Sequence, residues 1–99
     1  CPAYAAAKAG LAQLTKSGTN ELSRYNININ AIAPGFILTE LTRHIVEDPA
    51  AYEAKTARIP KGRWGQAEDL VGTLLFLSAP ASDYVCGAVI PIDGGYLCK

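Results

Sequence analysis

The 99-residue sequence has no methionine, a single histidine, a single tryptophan and no excess of charge of either sign. Nine basic and nine acidic residues cancel, leaving no basic field to draw nucleic acid or an anionic membrane. No nucleic-acid or membrane partner is therefore expected, and recognition has to rest on shaped sites. No uninterrupted apolar run approaches the roughly 20 residues needed to span a bilayer. His44 stands alone. Cys1, Cys86 and Cys98 are odd in number and share no metal-ligand spacing, so neither a metal site nor a disulfide framework is expected. Such cysteine usage suits a reducing cytoplasm. The chain opens Cys1-Pro2-Ala3 without an initiator methionine, a basic leader or a signal-like apolar stretch, and is expected to be a piece of something longer.

What is present is the composition of a folded chain: 49% hydrophobic and 18% charged residues, without repeats or low-complexity segments. Pro2 to about Tyr25 reads as one long helix, with Pro2 in its first turn and Ala7, Leu11, Leu14, Gly18 and Leu22 recurring on one face. Its alanine-rich front half is small on nearly every side, which suits close packing on more than one face. Asn26 is placed to cap it. Ile27 to Ala33 reads as a strand buried on both faces, ended by Pro34-Gly35. Glu40 to Glu47 predicts a short helix capped by Thr39, and Asp48 caps a second helix carrying Pro49 in its first turn and ending near Ile59-Pro60. Lys61 to Gly65 is a turn. Ala67, Leu70, Val71, Leu74, Leu77 and Ser78 trace a further helix face, with Glu68 and Asp69 at its positive end. Ala88 to Asp93 reads as a last strand, and Pro91 inside it argues for an edge.

Helix, apolar strand and glycine turn in succession indicate an α/β protein with a parallel sheet. Two strands more than fifty residues apart cannot make such a sheet alone. Their neighbours are expected outside the chain, and the 99 residues in isolation are expected to be unstable or molten.

Tyr4 and Lys8 lie four residues apart, on one face of the predicted helix. A phenol is a poor base at neutral pH, but a cation about 4 Å away favours the phenolate by roughly 4 kcal/mol at an effective dielectric near 20. The pair suits general acid/base exchange of a proton with a carbonyl or alcohol oxygen. Taken alone, this spacing more often marks two neighbours on a solvated helix; the accompanying motifs decide between the readings.

Tyr4-x-x-x-Lys8 on an alanine-rich helix, then Asn28-Ile29-Asn30-Ala31-Ile32-Ala33-Pro34-Gly35, then Thr39, and finally Asp93-Gly94-Gly95 after an apolar strand, resembles the short-chain dehydrogenase/reductase family from Tyr4 to about Gly95. The resemblance implies a doubly wound, parallel-sheet, Rossmann-like domain. Residues 1–99 would be the C-terminal portion of that single domain, incomplete here, with the dinucleotide-binding first half absent. It implies NAD or NADP as cofactor and a small-molecule alcohol or ketone as substrate. Tyr4 would donate and accept the proton. Lys8 would hold the nicotinamide ribose and promote ionisation of Tyr4. Pro34 and Gly35 would shape the nicotinamide pocket, the Ile37 backbone would fix the carboxamide, and Thr39 would contact the carboxamide or pyrophosphate. The plainer reading of Pro34-Gly35 and Thr39 is a strand exit followed by a helix cap, and both roles are compatible. Asn28 and Asn30 are expected to make structural hydrogen bonds. Glu40 to Ile59 corresponds to the family's substrate-covering region. Arg43, His44, Arg58 and Arg63 could meet an anionic substrate but also suit a solvated surface, and Trp64 reads as a packing anchor.

Arg58 to Gly65 and Ser82 to Gly87 most resemble the family's sugar-acid branch, which includes the gluconate 5-dehydrogenases and 2-dehydro-3-deoxygluconate 5-dehydrogenases. The same segments recur, slightly altered, in 3-oxoacyl-carrier-protein reductases, which remain the alternative. A non-catalytic scaffold or sensor of the same fold is a third reading. Relatives associate commonly as homotetramers, which is the expectation for the full-length protein. The family's glycine-rich phosphate loop, its catalytic serine and its cofactor-selecting residue all belong upstream of Cys1. Gly94-Gly95 is not such a loop, because no helix follows it.

Overall fold

Alanine at five of the first eight residues after Pro2 offers little side-chain entropy to lose, and the proline ring presets the backbone of the first turn. A helix follows directly: α1 runs Pro2–Leu22 in the computed structural model, which describes residues 2–98. Cys1, part of the cysteine reading above, lies outside the described residues. A single 3-10 turn, Ser23–Tyr25, closes α1, and Asn26 stops it in the left-handed conformation (φ 63°), its amide bonded to the Ser23 carbonyl. The expected cap is thus observed, at the residue type that tolerates positive φ best after glycine. The remaining elements are β1 (Ala31–Pro34), a 3-10 turn at Glu40–Thr42, α2 (Arg43–Val46), α3 (Pro49–Thr56), α4 (Glu68–Leu77), a 3-10 turn at Pro80–Ser82 and β2 (Val89–Ile92).

β1 and β2 form a two-stranded sheet. Bonded partners advance together along both strands, from Gly87 N–H to Ile29 O, through Ala31 N–H to Ala88 O, to Gly35 N–H to Ile92 O, so the pairing is parallel. Ala88 and Ile92 both present carbonyls to β1, which leaves Pro91 out of phase. Its missing N–H faces away from the ladder, as the edge reading requires. The chain divides into two compact units whose boundary falls within both strands.

The first unit comprises residues up to Ile32 together with Phe76–Ile90. Thr15 and Thr19 return their hydroxyls to the carbonyls of Leu11 and Thr15, four residues back, at 2.9 and 2.8 Å. Thr19 also reaches Ile29 O. Thr15 is the one buried residue of α1, whereas Leu11 and Leu14 are 55% and 65% exposed. The apolar stripe is therefore not a closed core face within this chain: Leu11 and Leu14 border an open cavity with Ile29 to Ile32, and the close approach is at Gly18, where a Cβ would lie 2.8 Å from Ile29 Cδ1. The strand expected over residues 27–33 begins only at Ala31, and Asn28 is exposed rather than buried on two faces. Residues 27–30 add side-chain bonds to the single backbone bond at Ile29. Asn28 Nδ2 donates to Asp83 O at 3.0 Å, Asn30 Nδ2 donates to Val85 O at 2.9 Å, and Asn30 Oδ1 accepts from the Ala88 amide at 3.0 Å. Both asparagines are structural, as expected.

The second unit comprises Ala33–Leu75 and the chain from Pro91 onward. It contains the buried apolar side chains Ile37, Ile59 and Trp64. Asp48 caps α3 by accepting from the Ala51 amide at 3.3 Å, with Pro49 at the first helical position. A parallel bridge joins Ile37 to Gly65. The Asp93 carboxylate accepts from the Gly95 and Leu97 amides, closing the turn that ends β2.

Candidate active site

α1 brings Tyr4 and Lys8 together one helical turn apart. The Lys8 Nζ sits over the Tyr4 ring, 5.4 Å from its centroid, and the tyrosine is 63% exposed. The ammonium therefore approaches the phenol across its π face. Both side chains belong to the first unit. The other expected site residues, Pro34, Gly35, Ile37 and Thr39, belong to the second.

In that second unit the strand exit is tightly fixed. A side chain on Gly35 would put its Cβ 2.6 Å from the Cβ and 2.8 Å from the Cα of Asp93, so only glycine fits without moving backbone. Two bonds then hold the next three residues against the 64–65 turn: Gly65 N–H to Phe36 O and Leu38 N–H to Gly65 O, both 2.9 Å. Among the described residues, the Ile37 N–H between them has no hydrogen-bond partner, although Ile37 itself is buried.

Thr39 occupies the expected cap position, as the first member of a capping box with Thr42. The residue that does the fastening is Thr42, which the sequence reading passed over. Its Oγ1 accepts from the Thr39 amide at 3.0 Å and lies 2.8 Å from the Ile37 carbonyl, to which it donates. Threonine three residues beyond a threonine cap was the available signal. Thr39 is thereby left exposed, its hydroxyl 3.5 Å from that of Thr42.

The arginines proposed for an anionic substrate all have partners. Arg43 lies between Glu40 and Glu47 at 3.3 and 3.5 Å. Arg58 lies over the Tyr96 ring, and Arg63 grips Asp69 with two nitrogens at 2.9 and 3.2 Å. That grip, with the Gln66 amide as a further donor, holds the Asp69 carboxyl down from its ordinary 3.8 to about 2. His44 is exposed. A cavity of about 270 Å³ opens in this unit between Phe36, Ile37, Lys61, Arg63, Ile92 and Asp93. Trp64 is 2% exposed, in keeping with the anchor role read from the sequence. Among the described residues no three His, Cys, Asp or Glu side chains gather as a metal site, and no helix is long and apolar enough to cross a membrane.

A tyrosine and a lysine one helical turn apart, a glycine strand exit and a parallel sheet accompany a family match. Residues 1–97 match the family described as Enoyl-(Acyl carrier protein) reductase, and the chain belongs to it and, with it, to the short-chain dehydrogenases/reductases. Over 98 residues the chain is 50% identical to the 2-dehydro-3-deoxy-D-gluconate 5-dehydrogenase of Bacillus subtilis, covering 99% of this chain and 39% of that protein. It is 47% identical over 94 residues to the rhamnolipids biosynthesis 3-oxoacyl-acyl-carrier-protein reductase of Pseudomonas aeruginosa, covering 95% of this chain and 37% of the relative. The crystal structure of a gluconate 5-dehydrogenase from Burkholderia cenocepacia, in complex with NADP and tartrate, matches with a TM-score of 0.94 at 42% identity, covering 97% of this chain and 38% of that one. The α/β, Rossmann-like fold expected from the sequence is thus the observed one. The chain spans about two fifths of the length of the curated relatives it matches.

Proposed function

We propose that this chain is the C-terminal portion of a short-chain dehydrogenase/reductase domain whose dinucleotide-binding half lies outside it, and that the complete enzyme interconverts a secondary alcohol and a ketone on a sugar acid using NAD or NADP. The observation carrying this reading is the exposed Tyr4 phenol with the Lys8 ammonium over its ring. The residues present suit a nicotinamide cofactor. Lys8 offers three donors suited to vicinal ribose hydroxyls. The Ile37 N–H is a donor without a partner among the described residues, fixed in place by bonds on either side. Gly35 and Pro34 leave the strand exit without bulk, on the side of a parallel sheet where ligands bind. Thr39 keeps an exposed hydroxyl beside them in sequence.

The bound nicotinamide supplies hydride exchange with the carbinol carbon. The chain's own contribution is the proton. In reduction, the Tyr4 O–H donates to the substrate oxygen as it gains negative charge; in oxidation, the Tyr4 oxygen takes that proton from the alcohol. The Lys8 charge stabilises the negative charge left on the tyrosine oxygen when the proton departs.

Sugar acids are favoured as substrates by the Bacillus subtilis and Burkholderia cenocepacia relatives, which are named for gluconate chemistry. The Pseudomonas aeruginosa relative supports a second reading, a 3-oxoacyl-carrier-protein reductase. The same proposal places the enzyme in the cytoplasm as a homotetramer, supported by the unpaired thiols of Cys86 and Cys98 and by the exposed leucines of α1.

The test is Tyr4→Phe and Lys8→Ala in the full-length enzyme. Tyr4→Phe should lower kcat by about 100-fold or more, the scale of a lost general acid, while the NADP Kd changes little. Lys8→Ala should weaken NADP binding. Near wild-type turnover in Tyr4→Phe would remove this residue from the mechanism. Parallel assays with a 5-keto sugar acid and a 3-oxoacyl thioester decide between the two substrate classes.

A further inference from the structure

The second unit contains an aromatic cluster that the proton chemistry does not use. The Trp64 indole packs against the Phe36 ring, with centroids 5.0 Å apart, and against the Tyr52 ring at 5.4 Å. It is almost wholly buried, and its one polar atom is satisfied: Nε1–H donates to Thr56 Oγ1 at 2.9 Å. That hydroxyl in turn donates a hydrogen bond to the Tyr52 carbonyl at 2.6 Å. One residue later, the Gly65 backbone bonds both Phe36 and Leu38. A dipeptide, Trp64-Gly65, is therefore fastened on one side to helix α3 by a relayed hydrogen bond and a ring contact. On the other it is fastened to the Phe36–Leu38 segment by two backbone bonds and a second ring contact. The approach at Gly65 is close, since a Cβ there would lie 2.7 Å from Ile37 Cδ1.

We infer that Trp64 is a positioning residue that makes α3 and the Phe36–Leu38 segment respond as one body, so that a cofactor engaging the Ile37 amide also orders α3. This rests on the cofactor reading above. An indole suits the task because a buried N–H must keep its partner, so the bond to Thr56 resists separation of α3 from the turn more directionally than ring packing alone. Phenylalanine would retain the packing and lose the bond.

The experiment is amide hydrogen exchange on the full-length, cofactor-free enzyme, with and without NADP, for wild type, Trp64→Phe, Thr56→Val and Thr56→Ser. In wild type, NADP should slow exchange both in residues 36–38 and in 49–56, by about tenfold in the latter. In Trp64→Phe and Thr56→Val the slowing should persist in 36–38 and fall below about twofold in 49–56. Thr56→Ser, which restores the hydroxyl, should behave as wild type. A purely structural role for Trp64 would raise exchange in both segments without uncoupling them. Retained NADP protection of 49–56 in Trp64→Phe or Thr56→Val overturns the inference, as does wild-type protection confined to 36–38. Absence of protection in both wild-type segments, with no NADP binding, would instead sink the cofactor reading itself. If Trp64→Phe does not fold, the two Thr56 variants decide the matter alone.

Discussion

Asp69 shows how a single carboxylate can organise a turn. It accepts from both terminal nitrogens of Arg63 and from the Gln66 amide, at 2.7 Å for the last. Among the causes of its low pKa, about 2, the Arg63 side-chain hydrogen bond is the largest, followed by the Gln66 backbone N–H. The folded state binds this proton less tightly than the unfolded chain does, so the carboxylate supports the fold at pH above its unfolded value, near 4. That support disappears as the pH falls towards about 2. In the full-length protein, Asp69→Asn should be less stable than wild type at neutral pH, and the gap should narrow as urea melts are taken from about pH 4 down to about pH 2. Because the pair is exposed, the effect should be small and screened by salt. A gap that stays constant across the range would mean that the charge is not what holds the turn. The sequence placed Asp69 correctly in the first turn of a helix but credited it to the helix dipole. Its partner, six residues upstream across a turn, has no periodic signature. The reverse holds for Tyr4 and Lys8, whose association follows from helical spacing alone.

Among elements, the legible features were those decided locally. Asn26 after α1, Asp48 before α3 and Thr39 before the 40–42 turn were all readable, because a cap depends on residues within one turn of it. The exposure of α1 was not readable: its leucine stripe has the right period for a core face, yet Leu14 stays 65% exposed. Period tells which residues share a face and nothing about whether a partner covers it. The Pro34-Gly35 exit lies between these cases. Its abruptness was evident, but the reason for glycine is tertiary, namely the Asp93 backbone 2.8 Å from where a Cβ would stand. Gly35→Ala should accordingly destabilise the full-length protein by about 2–3 kcal/mol, the cost of overpacking against atoms that cannot rotate away. NADP binding should weaken in parallel. Chemical denaturation compared with wild type checks this, and a loss below about 0.5 kcal/mol would mean that the two strand ends separate easily.

For the molecule as a whole, the distribution of buried apolar residues is decisive. Ile37, Ile59 and Trp64 all lie in the second unit, while the first buries Thr15 and Ser82, both polar. Leu11 and Leu14 of α1 and Leu74 and Leu75 of α4 remain open to solvent. Apolar area still in contact with water contributes nothing to folding, and a chain of this size has little to spare. No buried side-chain polar atom lacks a partner among the described residues. Local structure should therefore persist after cooperativity is lost. The 99-residue chain, expressed alone, should show helical far-ultraviolet circular dichroism, bind a hydrophobic dye and melt gradually over a broad range, the behaviour of a molten state. Covalently continuous with the remaining three fifths of a relative-length protein, the same residues should melt in one sharp transition. A sharp, reversible melt of the isolated chain as a monomer would show that the caps, the Asn28 and Asn30 brackets and the Trp64 cluster suffice to fold it. The exposed leucines would then have to be explained as a binding surface and not as an unfinished core.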